Sequence, residues 1–195
     1  MHRTALRVAA AFLALAPTVA SAHPGHEGAS LISGLVHPLG GLDHIIAMVA
    51  VGLLAARLGG RALWLVPVSF VITMAVAGVA GMAGVGLPYV ETGIALSVVV
   101  LGAVAVFGVA MPVAAAMGLV AFFAVFHGYA HGVEMPETVS GLAYGAGFVA
   151  ATALLHGLGI GIGLAVSRLD RGRNLVRVAG SLAAIVGVVM LAAAT

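Results

Sequence analysis

Long apolar runs separated by short polar connections dominate the chain beyond its N-terminal region. Each run is apolar on every side of a helix, and a helix of about 20 such residues crosses a hydrocarbon core ~30 Å thick. The pattern therefore predicts an all-α membrane protein with six transmembrane helices. The predicted segments are residues 31–56, 62–81, 92–108, 112–128, 139–166 and 175–194.

The start of the chain has the organisation of a secretory signal peptide. Basic residues come first, a short apolar run follows, and Ala20-Ser21-Ala22 supplies the small residues of a cleavage site. The apolar run is short for a transmembrane helix, and Pro17 interrupts it. We therefore predict that residues 1–22 are cleaved and that residues 23–195 form one transmembrane domain.

The charged residues orient the predicted helices. Arg57 and Arg61 follow the first segment, and four more arginines, Arg168, Arg171, Arg173 and Arg177, lie between the fifth segment and the start of the sixth. By the positive-inside rule, both arginine-bearing loops are predicted to be cytoplasmic and both termini of the mature chain to be outside. The acidic residues at the opposite ends are Glu27, Glu91, Glu134 and Glu137.

Composition excludes several classes of protein. Hydrophobic residues make up 63% of the chain and charged residues 7%, so a soluble globular domain is excluded. The chain has no cysteine, which excludes disulfides and thiolate metal sites. It also has no lysine, which excludes a phosphate-binding loop of the ATPase type. No nucleic-acid-binding motif is present, and no nucleic-acid partner is expected.

Two imidazoles and a carboxylate, at His37, Asp43 and His44, interrupt the first apolar segment. Counting from Leu31 at 1.5 Å per residue, Asp43 is predicted to lie roughly 18 Å deep, near the middle of the hydrocarbon core. A charged side chain at that depth costs about 3 kcal/mol on insertion scales. We therefore expect Asp43 to have a partner or a function.

The backbone beside these residues is predicted to be broken. Pro38 removes a backbone donor, and Gly40-Gly41 loosens the helix just before Asp43. Broken helices within membranes place free carbonyls beside charged side chains, which is one way to build a cation site. We therefore predict that His37, Asp43 and His44 form a site for a divalent metal ion within the bilayer.

A second ionisable cluster closes the fourth segment. His127 and His131 are four residues apart and share a helix face, which Glu134 continues if the helix persists. Imidazole and carboxylate together suit Ni²⁺, Co²⁺, Zn²⁺ or Fe²⁺. The alternative is a pair of interfacial histidines that bond to water and headgroups, with Glu134 solvated. The three residues together favour a metal site near the outer surface.

Other candidates are weaker. His156 lies alone within the fifth segment, where an interhelical hydrogen bond explains it as well as a metal does. Glu91 begins the third segment, where an acid stabilises the first turn of a helix. At the predicted mature N-terminus, His23 and His26 are candidates for weak metal capture. The hydroxyl of Ser97 is interpreted as an ordinary interhelical hydrogen-bonding group.

These motifs, in this order along the chain, resemble those of the HupE/UreJ family of nickel/cobalt permeases. Tyr129 is one departure, since many members carry a third histidine there, between the two that this chain retains. The stretches that carry the resemblance are His37-Pro38 to Met48, Phe126 to Glu134, and Gly147 to Gly159.

The resemblance implies uptake of nickel or cobalt by a permease of the bacterial inner membrane, serving hydrogenase or urease maturation or cobalamin synthesis. It implies no enzyme activity and no permanently bound cofactor, because Ni²⁺ or Co²⁺ is the cargo. The implied partners are the metal ion and the lipid bilayer, with a homo-oligomer or a downstream metallochaperone left open. The residues to which it assigns the metal pathway are His37, Asp43, His44, His127, His131 and Glu134, with His156 and Glu91 as further positions.

Two other functions compete with transport. One is a non-transporting membrane protein that binds metal as a sensor or chaperone and passes it to a partner. The other is an intramembrane metallohydrolase, for which the expected His-Glu-x-x-His helix is missing. The choice among nickel, cobalt and zinc, and any coupling to protons, is not decided by ligand identity.

Overall fold

A computed structural model describes residues 30–135 and 140–194, which form seven α-helices and no strand. The prediction of an all-α protein is confirmed. The predicted signal peptide, His23, His26 and Glu137 lie outside the described residues. The helices are α1 Ser30–Gly40, α2 Leu42–Leu58, α3 Ala62–Met82, α4 Val90–Phe107, α5 Val113–Val133, α6 Gly141–Val166 and α7 Gly172–Ala193.

Helices α3 to α7 are each long and apolar enough to cross a membrane. Helices α1 and α2 pass the same test together, as one broken span. Counted in this way, the described residues form six spans, as the apolar pattern predicts. The chain is therefore a multi-pass membrane protein.

The first span bends by 89° between α1 and α2. Gly41, at the bend, has extended backbone angles (φ −99°, ψ 116°), and its carbonyl accepts the first hydrogen bond of α2 from the Ile45 amide. Pro38 lies within the last turn of α1, where its ring removes one amide donor. The predicted break near Pro38 and Gly41 is confirmed.

The angle of the bend overturns the predicted depth of Asp43. Because α1 runs almost at a right angle to α2, its length adds little to the distance across the membrane. Asp43 is the second residue of α2, and it lines a cavity of about 250 Å³ with Glu91 in the first turn of α4 and Ala194 just after α7. It therefore lies at one end of the bundle and not near the middle.

Glycines bring the helices into backbone contact around the polar centre. A Cβ on Gly128 would lie 2.1 Å from the Met74 carbonyl oxygen of α3, and one on Gly52 would lie 2.3 Å from the His156 carbonyl oxygen of α6. Small residues allow this approach between transmembrane helices. The histidines of α5 and α6 are thus held by helix pairs with no space for a larger residue at these points.

The bundle is apolar outside and partly polar inside. Large apolar side chains such as Leu142 and Phe107 are 90% and 74% exposed, which suits a surface that contacts lipid. The buried centre contains polar side chains besides aliphatic and aromatic ones. The buried polar residues are His44, Ser97, His127, Thr152 and His156.

Candidate metal centre

Three side chains meet at the end of α5, and we call His37, His131 and Glu134 the outer cluster. His37 Nε2 lies 3.0 Å from His131 Nδ1 and 3.2 Å from Glu134 Oε2, and His131 Nδ1 lies 3.4 Å from the same oxygen. The bend after α1 carries His37 over the end of α5, where His131 and Glu134 are three residues apart. One ligand atom from each residue can face a single metal ion.

The carboxylate of Glu134 is held in its charged form. Glu134 follows the last residue of α5, outside the membrane-spanning segments, and its carboxylate accepts hydrogen bonds from His131 and His37. These bonds lower its pKa to about 2, against the opposing effect of partial burial. The Glu134 carboxylate therefore carries a negative charge at neutral pH, which attracts a cation.

His131 connects the outer cluster to the interior. Its Nδ1 faces His37 and Glu134, and its Nε2 lies 3.3 Å from Nδ1 of the buried His44. His44 Nε2 in turn lies 3.3 Å from Thr152 Oγ1 on α6. The two predicted histidine clusters are therefore one continuous group joined at His131.

The remaining histidines extend this group further into the bundle. The ring of His127 lies 5.5 Å from that of His44, and Phe70 contacts both His127 and His156 at ring distances of 6.0 and 5.2 Å. His156 is buried, and neither of its ring nitrogens has a hydrogen-bond partner among the described residues. Such an unpaired buried group costs free energy and calls for an explanation. We call the series His37, His131, His44, His127 and His156 the histidine column.

Among the described contacts, none joins the Asp43 carboxylate to an imidazole of the histidine column. One of its carboxylate oxygens accepts a hydrogen bond from the backbone amide of His44 at 2.8 Å, and its side chain lines the small cavity that it shares with Glu91. The sequence grouped Asp43 with His37 and His44. In the structure His37 and His44 are instead connected through His131, which comes from the other predicted cluster.

Several side chains around the column have no signal in the sequence that separates them from ordinary packing residues. Tyr144 places its ring 5.8 Å from that of His37, and its buried hydroxyl has no partner among the described residues. Phe148 lies 4.4 Å from the His131 ring. Ser97 and Thr152 bond to histidines, but single hydroxyls in apolar helices are common and do not indicate a site.

Comparison with known proteins identifies the family. The family model described as HupE / UreJ protein matches residues 10–190. The chain belongs to the HupE/UreJ family. A protein named Protein HupE from Rhizobium leguminosarum bv. viciae is 48% identical over 176 residues, which cover 90% of this chain and 91% of that relative. No solved structure matches the chain. The resemblance to HupE/UreJ proteins is confirmed, and the whole histidine column lies within the matched region.

Proposed function

We propose that the chain is a membrane permease that takes up a divalent transition-metal ion, nickel or cobalt, along the histidine column. The observation that carries the proposal is a series of imidazoles that runs from the partly exposed outer cluster to the buried His156 in an otherwise apolar bundle. Membership of the HupE/UreJ family supports it. Imidazole and carboxylate ligands suit late first-row divalent ions.

The outer cluster has the dimensions of a metal site. Ligand atoms about 2.1 Å from one metal ion lie roughly 3.0 Å apart at the right angles of an octahedron and roughly 3.4 Å apart in a tetrahedron. The three observed separations are 3.0, 3.2 and 3.4 Å. Two imidazole nitrogens and one carboxylate oxygen are thus spaced for capture of a single ion, with water completing its coordination.

Transfer inward proceeds from one imidazole to the next. His131 belongs to the outer cluster and also contacts His44. An ion released by Glu134 and His37 therefore passes to His131 and His44 and then to His127 and His156.

Asp43 and Glu91 lie beside the outer cluster as a pair of carboxylates. In the proposal they raise the local concentration of cations, and His23 and His26 would add to capture.

The membrane potential is sufficient to drive uptake. We propose that the protein lies in the bacterial inner membrane with its arginine loops inside and both mature termini outside. Two positive charges that cross 100 mV, inside negative, gain about 4.6 kcal/mol, enough for roughly a thousandfold accumulation. Nucleotide hydrolysis by this chain is not required, and the proposal assigns it no enzyme activity.

A non-transporting sensor or chaperone is the competing function. The outer cluster alone would be enough for such a protein, because its ligands lie at the end of the bundle where a partner has access. The buried imidazoles of His44, His127 and His156 have no role in that function. Their position favours transport.

Uptake of radioactive nickel by cells that express the His44→Ala variant tests the proposal. The His44 ring contacts both His131 and His127 and so connects the outer cluster to the buried histidines. Uptake by the variant is therefore expected to fall to the level of cells without the protein. Ser181→Ala is the control, because the Ser181 hydroxyl donates to the Arg177 carbonyl within α7 and to no histidine, and it should transport at the wild-type rate. Wild-type uptake by normally expressed His44→Ala would exclude the column as the route.

The Glu134→Gln variant tests the charge of the outer cluster. Glutamine keeps the shape of the side chain but removes the negative charge, so the KM for nickel is expected to rise roughly tenfold with little change in maximal rate. Initial uptake rates over a range of nickel concentrations measure both quantities. Asp170→Asn, in the loop between α6 and α7, removes the same charge at the opposite end of the bundle and should leave the KM unchanged. Equal KM values for Glu134→Gln and wild type would contradict the role of Glu134 in capture.

A further inference from the structure

Ser97 contacts one histidine of the column from the neighbouring helix α4. Its Oγ is fully buried and lies 2.8 Å from His127 Nε2. The same hydroxyl lies 2.6 Å from the carbonyl oxygen of Ile94, one turn earlier in α4, and donates to it. A serine hydroxyl has one proton and two lone pairs, so both bonds form only if one of them uses a lone pair.

The Ile94 carbonyl determines the direction of the hydrogen bond between Ser97 and His127. A carbonyl oxygen has no proton and can only accept, so the proton of Ser97 is committed to Ile94. The Ser97 oxygen then accepts from His127, which places the ring proton on Nε2. A neutral imidazole carries one N–H, so Nδ1 is left with its lone pair free.

The opposite tautomer is unfavourable at this position. It would place a proton on His127 Nδ1, and the hydrogen bond that His127 forms with a described side chain uses Nε2. In that form, neither atom of the 2.8 Å contact between His127 Nε2 and Ser97 Oγ would have a proton to share, because the Ser97 proton is given to Ile94. Two facing lone pairs repel, so the contact with Ser97 favours the Nε2–H form.

We propose that Ser97 is a positioning residue that fixes His127 as its Nε2–H tautomer, so that His127 binds the transported ion through Nδ1. The ligand role rests on the proposed function, whereas the tautomer is a property of the metal-free protein. A hydrogen bond to the second nitrogen orients a metal-binding imidazole and makes it a better ligand. Ser97 contacts the ring at Nε2, the nitrogen opposite the one proposed to bind the ion, so it would act through His127.

Thr152 lies beside His44 in a similar way but is not included in the proposal. Its hydroxyl is 3.3 Å from His44 Nε2, and its other partner is the thioether sulfur of Met74 at 3.7 Å. A thioether is a weak acceptor, so it does not commit the Thr152 proton as the Ile94 carbonyl commits that of Ser97. The direction of the bond between Ser97 and His127 is therefore fixed, whereas the direction of the bond between Thr152 and His44 is not.

Nitrogen-15 spectra of the full chain, labelled at histidine and held metal-free in lipid nanodiscs, test the tautomer. The His127 signals are assigned by their loss in His127→Gln. In the wild type we expect a protonated Nε2 and an unprotonated Nδ1, and in Ser97→Ala a mixture of both tautomers. Ser97→Thr, which keeps a hydroxyl, should restore the wild-type signals. Ser69→Ala is a matched control because Ser69 also donates to a carbonyl one turn earlier, that of Val66, but bonds to no described histidine.

Binding of Co²⁺ to the same samples provides the second readout. Loss of the Ser97 hydroxyl is expected to weaken Co²⁺ binding roughly tenfold, with recovery in Ser97→Thr. A protonated Nδ1 in the wild type, or unchanged His127 signals in Ser97→Ala, would overturn the inference while leaving the permease proposal intact. No Co²⁺ binding by the wild type would instead overturn the proposed function and the ligand role of Nδ1, and the spectra would still decide whether Ser97 fixes the tautomer.

Discussion

Nickel uptake is expected to fall at least about 100-fold when His131 is replaced by alanine, a larger loss than that of a residue that only orients a ligand. His131 supplies Nδ1 to the outer cluster and places Nε2 beside His44, so the substitution removes a capture ligand and the step that follows capture. Uptake of radioactive nickel, normalised to the amount of protein in the membrane, measures the loss.

Val133→Ala is the control for this variant because Val133 lies two residues away on α5 and is 57% exposed. It should transport nickel within about twofold of the wild type, since exposed substitutions have small effects. His131→Ala that retained more than half of the wild-type rate would contradict the continuity of the histidine column.

The second large effect is expected from Gly128→Ala. The new methyl group would lie 2.1 Å from the Met74 carbonyl oxygen, which cannot move without shifting α3 away from α5. Overpacking against a backbone is expected to destabilise the protein by about 3 kcal/mol or more and to displace the neighbouring His127. Thermal unfolding in detergent, followed by uptake assays, measures both consequences.

Gly118→Ala is the matched substitution in the same helix. A Cβ on Gly118 meets nothing within 4 Å, so alanine is expected to be neutral or to stabilise α5 by up to about 1 kcal/mol through its higher helix propensity. Equal unfolding temperatures for Gly128→Ala and Gly118→Ala would contradict the close contact of α3 with α5.

The sequence predicted local features well where a single residue type determines them. Pro38 and Gly41 indicated the break in the first span, and the structure has it there. The angle of the break was not predictable, because it depends on how α1 packs against α6 and not on the broken residues themselves. Asp43 was therefore placed too deep.

The end of α5 shows a second limit. The apolar pattern predicted an end at Gly128, whereas the helix continues to Val133. Polar and glycine residues interrupt the pattern in this last turn, and the structure uses them to form the outer cluster and the contact with α3. At a polar site within a membrane helix, loss of apolar character does not mark the helix end.

The grouping of the site residues could not be derived from the sequence. Helices that are apolar on all sides carry no signal for which face meets which neighbour. The sequence therefore identified His37 and His131 as candidates but gave no reason to place them together. The same limit hid Ser97, whose importance depends on the face of α4 that meets His127.

Nickel accumulation by sealed liposomes that contain only this protein tests the central claim most directly. With an imposed potential that is negative inside, the wild-type protein is predicted to accumulate nickel far above protein-free liposomes, and His131→Ala is predicted not to. Wild-type protein that binds nickel but leaves none inside the vesicles would contradict transport through the histidine column.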